Sequence, residues 1–471
     1  MCSILEEDFM YEKSTISQEL CKNIDVLCKK CLDNIAMIKL QKKHHYCKDC
    51  FVNIITHKFR ATLGKTKLIK PDDKVLIAFT GNQSSITLLH LLKLGVNEQI
   101  HKRFKFHPVI LFIDESIFWP KEKRMVDLPK IMKALKNSGF KYYITKLSSI
   151  YDNYTFQDIN DVNDISCLKE NESDNKLLSL FHNIQSDTSK TDFLLRLRYQ
   201  IQFKIARILN YNKIFTAENT TDLSIRVLSN ISLGRGLQVS FDVAVCDQKI
   251  PDIYLIRPLR EITSKEIVFY NVFNKIESLA VPSIFPMMVY NSLQHETELF
   301  VYQLQEEFPS TVYSVFHIGE KLKTYAVKEN MCHWCHNPIL LDTSGVTCLK
   351  ESMVHIMSKY NWDKPDDKDD EEITNKNFAL PSLLQRIPGY ENAKQRDIAE
   401  WINGEIKKDT HCGNCISNRM TQKLKQSLCY GCQHILDDMK SLDYLPIGIL
   451  HETVAEFQAN ELRKEIEDFL L

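Results

Sequence analysis

Five C-x-x-C pairs carry most of the chemistry open to this sequence. Cys28–Cys31 and Cys47–Cys50 are separated by fifteen residues, a spacing suited to a structural zinc site. Each pair offers two thiolates on one tight turn, and two such turns complete a tetrahedron. Four thiolates leave no coordination position open, so the metal would hold structure and not catalyse. The competing reading is four buried free cysteines, or a single redox pair. Near the other end, Cys412–Cys415 and Cys429–Cys432 lie thirteen residues apart, and Cys332–Cys335 forms a further pair with Cys348 beyond it. Six paired cysteines exceed one tetrahedral site and fall short of two. His333, His336, His411 or His434 could complete a second site, or Cys332 and Cys335 could join Cys429 and Cys432 across an acidic segment. The spacing leaves both arrangements open, and all ten paired cysteines are candidate zinc ligands.

Positive charge gathers around the second pair. Residues 41–70 hold eight Lys/Arg against the single acid Asp49, with three histidines and the aromatics Tyr46, Phe51 and Phe59 interleaved. On a chain of formal net charge −1, that local excess suits phosphate contact, with rings available to stack on bases. Lys42, Lys43, Lys58, Arg60, Lys65 and Lys67 are the candidate RNA-binding residues. A solvated surface around a zinc ribbon is the competing reading. A second cationic group, Arg196, Arg198, Arg226, Arg235, Arg257 and Arg260, falls near expected strand ends and helix starts. Arg235 stands between Gly234 and Gly236, a flexible setting suited to RNA phosphate or to a partner carboxylate. Arg196 and Arg198 fit equally well on the solvent side of an amphipathic helix.

The segment VLIAFTGNQSS at 75–85 has the form of a phosphate loop: a buried strand, a glycine turn, then hydroxyls opening a helix. Backbone N–H groups at such a helix start cradle phosphate. Thr80, Gly81, Ser84 and Ser85 are the candidate binding residues, although the lysine of a Walker A loop is missing. A plain strand–helix turn is the competing reading.

These groups need a frame, and 471 residues exceed one compact core. Hydrophobic residues at 44% and charged residues at 26% describe an ordinary globular chain. The near-zero net charge excludes a uniformly basic nucleic-acid binder. The opening MCSILEEDFMYEKSTISQEL lacks the apolar core of a signal peptide, and no apolar run approaches the ~18 residues needed to span a bilayer. The expectation is a cytoplasmic protein without a membrane anchor, whose thiols stay reduced and favour metal over disulfides.

Between the cysteine-rich ends, strand and helix patterns alternate. VLIAFT, PVILFID, KYYITKL, KIFTAEN and IYLIRPL read as strands. The stretches 84–95, 128–139, 191–210 and 220–232 read as helices, and Thr263 with Glu266 forms a capping-box pattern opening another. This order predicts an α/β fold with a doubly wound parallel sheet, whose ligands bind beyond the strand carboxyl ends. The polar residues 151–190 and the run DKPDDKDDEE at 363–372 read as solvated insertions. Three parts follow: a zinc-binding module with a basic face over 1–66, the α/β core over 67–325, and a cysteine-rich module over 326–471.

The strand-[ST]-G-x-x-[SD]-S loop resembles the SGGxDS loop of the PP-loop ATP pyrophosphatases. KFRATLGK at 58–65 leads into it, and TAENTTDLSIRVLSNISLGRG at 216–236 is similar to that family's later signature. With LCYGC and the closing EIEDFLL, nearly the whole chain resembles the second subunits of cytosolic tRNA thiouridylases. The resemblance implies a role in 2-thiolating the wobble uridine (mcm5s2U) of tRNAs for lysine, glutamate and glutamine. It implies a heterodimer with a catalytic thiouridylase subunit, tRNA as a bound partner, and a ubiquitin-related sulfur carrier. The departures from the family pattern matter equally. Asn82 stands where a second glycine is expected and Ser84 where an acid is expected, and a Cβ narrows a cradle built on close backbone approach. The catalytic subunits carry sulfur chemistry on cysteines where this chain reads DFLLRLRYQ (192–200) and YLIRPL (254–259). Without a thiolate there is no persulfide nucleophile. Zinc is therefore expected as cofactor, ATP is not expected on this chain, and no catalytic residue is assigned. The rival readings are a self-sufficient ATP-dependent RNA-modifying enzyme with a divergent loop, and a non-enzymatic zinc adaptor.

Overall fold

The apolar run after Asp73 becomes the centre of the sheet because both of its faces are covered. The computed structural model describes residues 26–40, 44–98, 103–152, 171–250, 252–277, 291–322, 331–339, 425, 427–440 and 445–446. In chain order the elements are strands β1 (Ile38–Leu40) and β2 (His44–Tyr46), helix α1 (Lys48–Thr66), β3 (Lys74–Phe79), α2 (Gln83–Val96), β4 (His107–Asp114), α3 (Lys121–Ser138) and β5 (Lys141–Lys146). There follow α4 (Glu172–Asn183), α5 (Asp187–Ile208), β6 (Lys213–Thr216), α6 (Thr220–Ser232), α7 (Val239–Val243), β7 (Cys246–Asp247), β8 (Tyr254–Ile256) and α8 (Ser264–Phe273). Helices α9 (Leu293–Glu307), α10 (Pro309–Lys321) and α11 (Tyr430–Asp437) complete the described chain.

Six strands pair in the order β5-β4-β3-β6-β8-β7, parallel except for β7 against β8. This is the doubly wound α/β class expected from the alternating pattern. Side chains of β3 alternate between two cores. Val75, Ile77 and Phe79 face α1, α2, α3 and α8, whereas Leu76 and Ala78 face α4, α5 and the cysteine segments 331–339 and 427–440. The chain leaves β3 toward β4 and β5, then returns to β6 on the other side. The switch point at the carboxyl ends of β3 and β6 is where such a sheet opens a crevice.

Two expectations about the periphery change. Helix α4 occupies part of the region expected to be a polar insertion. Its capping box, Asn171 with Asp174, starts it, and Leu177, Leu180 and Phe181 bury against the core. Asp174 also meets buried Lys146 at 2.6 Å. Residues 153–170 and the acidic run at 363–372 lie outside the described residues. Helix α1 is no detached ribbon: Phe51 packs edge-on to Phe273 at 5.6 Å, and Phe59 to Phe104 at 5.9 Å. No helix among the described residues is long and apolar enough to cross a membrane.

Candidate metal centres and the loop after the first core strand

The first tetrad is built by two turns flanking the β1–β2 hairpin. Cys28 opens a turn closed by Leu32 N–H to Cys28 O at 2.9 Å, with Leu32 in the left-handed region at φ 60°. Cys47 caps α1, and Cys50 follows in its first turn. The four sulfurs of Cys28, Cys31, Cys47 and Cys50 lie within 4.8 Å of one another. A tetrahedron with metal–sulfur bonds of about 2.3 Å needs sulfurs about 3.8 Å apart, and Cys31 and Cys47 stand at 3.9 Å. Burial opposes ionisation of Cys28, but N–H groups of Cys31, Cys47 and Lys30 outweigh it and hold its thiol down at about 6. Desolvation and the other three cysteines push Cys50 up to about 12. Thiols this close do not all ionise together unless a cation sits among them.

The second tetrad joins Cys332 and Cys335 to Cys429 and Cys432, all within 4.8 Å. Of the two arrangements left open by the spacing, this is the one that crosses the acidic segment. Cys412, Cys415, Cys348 and His411 lie outside the described residues. Cys335 and Cys429 approach to 3.4 Å. Asn337 donates from Nδ2 to Cys335 Sγ at 3.2 Å, and Gln238 from Nε2 to Cys429 Sγ at 3.5 Å. Both tetrads have the donor set and closeness to hold a metal ion. They differ in setting: the second is packed into the core around Trp334, which is 1% exposed.

The loop after β3 is closed by its own side chains. Gly81 takes φ 81°, a conformation that favours glycine. Asn82 then caps α2: its Oδ1 accepts from Ser85 N–H at 2.9 Å, while Ser85 Oγ donates to Asn82 O at 2.8 Å. Ser84 Oγ accepts from Asn219 Nδ2 at 3.1 Å, across the switch point, and both serines are buried. Thr80 stays exposed. One of the N–H groups at a helix start that would favour an anion is thus taken by an asparagine cap. Asn219 also caps α6, accepting from Thr221 and Asp222 N–H groups.

Beside that point lies a cleft lined in part by Tyr199, Arg226, Asp247, Arg257, Trp334 and Asn337. The two stretches that lack cysteine, 192–200 and 254–259, both contribute to it. Ion pairs fill it. Glu218 binds Arg226 and Arg257 and accepts from Tyr199 Oη at 2.8 Å. Burial opposes the Glu218 charge, and the two arginines outweigh it, holding the carboxyl well below its usual range. Asp222 fares differently: burial pushes it up to about 7, with Glu218 and Glu298 adding to the effect. Its folded value exceeds the ordinary 3.8, so its protonated form favours the fold at low pH, and that contribution is lost as pH rises through about 7. Asp222→Asn should change stability little near pH 4 and raise it above pH 7, by up to about 4 kcal/mol for a shift of this size. Thermal melts across this range check the sign, and a variant less stable than the parent at pH 8 contradicts it.

The cationic candidates are dispersed. Lys65 and Lys67 are exposed on and just beyond the last turn of α1. Lys58 instead pairs with Glu266 at 2.8 Å, and Arg60 pairs with Glu98 over the Phe104 ring. Lys42 and Lys43 lie outside the described residues. Arg235, expected on a flexible loop, is 6% exposed and meets Asp192 at 2.6 Å. Arg196, which fitted equally well on the solvent side of a helix, is buried on the same carboxylate at 3.1 Å. Asp192 four residues before Arg196 was the available signal, because that spacing puts both on one helix face. Glu218 and Asn219 were missed as organisers, although Asn219 with Asp222 has capping-box spacing.

The fold and these sites define a doubly wound α/β protein with a phosphate-type loop and two cysteine tetrads. A family model for cytoplasmic tRNA 2-thiolation protein 2 matches residues 292–434. Cytoplasmic tRNA 2-thiolation protein 2-B of Xenopus laevis is 30% identical over 99% of this chain and 98% of its own length. The 2-A protein of the same organism is 31% identical over 96% and 95%. The chain belongs to the cytoplasmic tRNA 2-thiolation protein 2 family. Among solved structures, it is similar to the U34-tRNA thiolase NcsA from Methanococcus maripaludis, at 19% identity and a TM-score of 0.46, covering 66% of this chain and 92% of that one.

Proposed function

We propose that this chain serves tRNA 2-thiolation in the cytoplasm as a non-catalytic subunit that helps hold tRNA for a catalytic partner. The partner would activate the wobble uridine of tRNAs for lysine, glutamate and glutamine with ATP and receive sulfur from a ubiquitin-related carrier. Family membership supports the pathway. The observation that carries the division of labour is the Asn82 cap, which meets the α2 N-terminus from within the chain. The cleft beside it agrees: the stretches 192–200 and 254–259 bring no cysteine to it, and the Cys335 that does line it belongs to the second tetrad. Zinc is the proposed occupant of both tetrads, since four thiolates at these separations match its tetrahedral preference. Lys65 and Lys67 are the proposed phosphate contacts, and tRNA binding by the complex that does not weaken with salt would exclude them.

The purified chain with tRNA and ATP should release no pyrophosphate above background on its own, and release should appear only when the catalytic partner is present. Release by the isolated chain that Gly81→Val abolishes would contradict this reading and favour a self-sufficient enzyme.

A further inference from the structure

Two buried arginines of the α/β core share one carboxylate near the turn that carries Cys429 and Cys432, and nothing in the proposed function uses their charge. Arg196 on α5 is buried, lines the same cleft as Cys335 and donates from Nε to Asp192 at 3.1 Å. Arg235 reaches the same carboxylate at 2.6 Å and donates to Gly431 O at 3.4 Å. Gly431 sits between Cys429 and Cys432, and a Cβ there would lie 2.0 Å from Arg235 Nε, so the guanidinium packs directly on the ligand turn. Gln238 reaches Cys429 from the core as well, at 3.5 Å.

Four thiolates around a dication leave two net negative charges. Two guanidiniums against one carboxylate bring one net positive charge to the same buried place. Opposite charges brought together out of water attract strongly, and a buried charge left without its partner is costly. The first tetrad differs, drawing on backbone N–H groups near the surface. We propose that Arg196 and Arg235 are the core's counter-charges to the second metal centre, so that a bound dication locks segments 331–339 and 427–440 on to the α/β core. This inference rests on the reading of that tetrad as zinc-loaded.

The test counts zinc per full-length chain by native mass spectrometry during timed exposure to a chelator. The parent chain should carry two zincs, and fewer than two would overturn the reading beneath the inference. Arg196→Met should release one zinc at least about tenfold faster, the scale seen when outer partners of ligands are removed, and leave the other unchanged. Arg196→Lys, which keeps the charge, should release it close to the parent rate. Two zincs released from Arg196→Met at parent rates, or equal acceleration by Arg196→Lys, would overturn the proposal. A readout on the parent chain stands even if Arg196→Met fails to fold. Chelation should raise hydrogen exchange in residues 192–200 together with 427–440, and protection retained at 192–200 would equally overturn it.

Discussion

Cys432→Ser should cost the chain one zinc and lower the stability of the whole core, whereas Cys47→Ser should cost the other zinc and act locally. The contrast follows from where the sulfurs lie. Cys332, Cys429 and Cys432 belong to the same buried cluster as Phe193, Leu197 and Ile201 on α5 and Leu76 on β3. Binding of structural zinc contributes about 10–16 kcal/mol in small domains, and that free energy is folding free energy. Its loss inside the main core exceeds the few kcal/mol of net stability that a domain has to spare. The first tetrad instead closes a hairpin and the start of α1, whose body remains packed through Phe51, Ile55 and Phe59. Elemental analysis with thermal melts checks this. Equal loss of melting temperature in the two variants would contradict the asymmetry, and unchanged zinc content in either would contradict the ligand assignment.

Glu218→Gln should be the most damaging single change away from the cysteines. The carboxylate sits between Arg226, Arg257 and the Tyr199 hydroxyl, and the Arg257 side chain is 1% exposed. Glutamine keeps the shape and one acceptor but takes the shared carboxylate from two buried guanidiniums, leaving Arg257 only Asp247 at 3.8 Å. Removing one partner of a buried pair costs about 3–5 kcal/mol, which in a core of this size lowers the melting temperature by roughly 10 °C. Replacing Glu218, Arg226 and Arg257 together with apolar residues of matched volume should recover much of the loss. A Glu218→Gln chain melting within a degree or two of the parent would show that water already screens the network.

Much of this was legible in the sequence for identifiable reasons. Strands β3 and β4 announced themselves as apolar runs, because a parallel sheet covered on both faces needs no polar alternation. The Thr263–Glu266 box marked the start of α8 because both of its bonds are local. Local spacing also brought the first tetrad within reach. The second could not be chosen by spacing, since Cys335 and Cys429 meet only through the docking of two distant segments on α5. Helix α4 hid because ESDNKLLSLFHN is polar overall, and three apolar residues on one face suffice to bury it. Arg235 was misread for a related reason: two flanking glycines suggest freedom, and only the fold brings Asp192 and the Gly431 turn against it.

The most direct measurement is mass spectrometry of tRNA nucleosides from cells in which this gene is deleted. In the deletion, 2-thiolated wobble uridine should disappear while its other modifications persist. The parent gene should restore it, and so should a chain carrying Gly81→Val, because the loop after β3 has no chemistry to lose. Persistence of the thiolated nucleoside in the deletion would contradict the function. Rescue by the parent that Gly81→Val, stably folded, cannot match would contradict the non-catalytic reading of this chain.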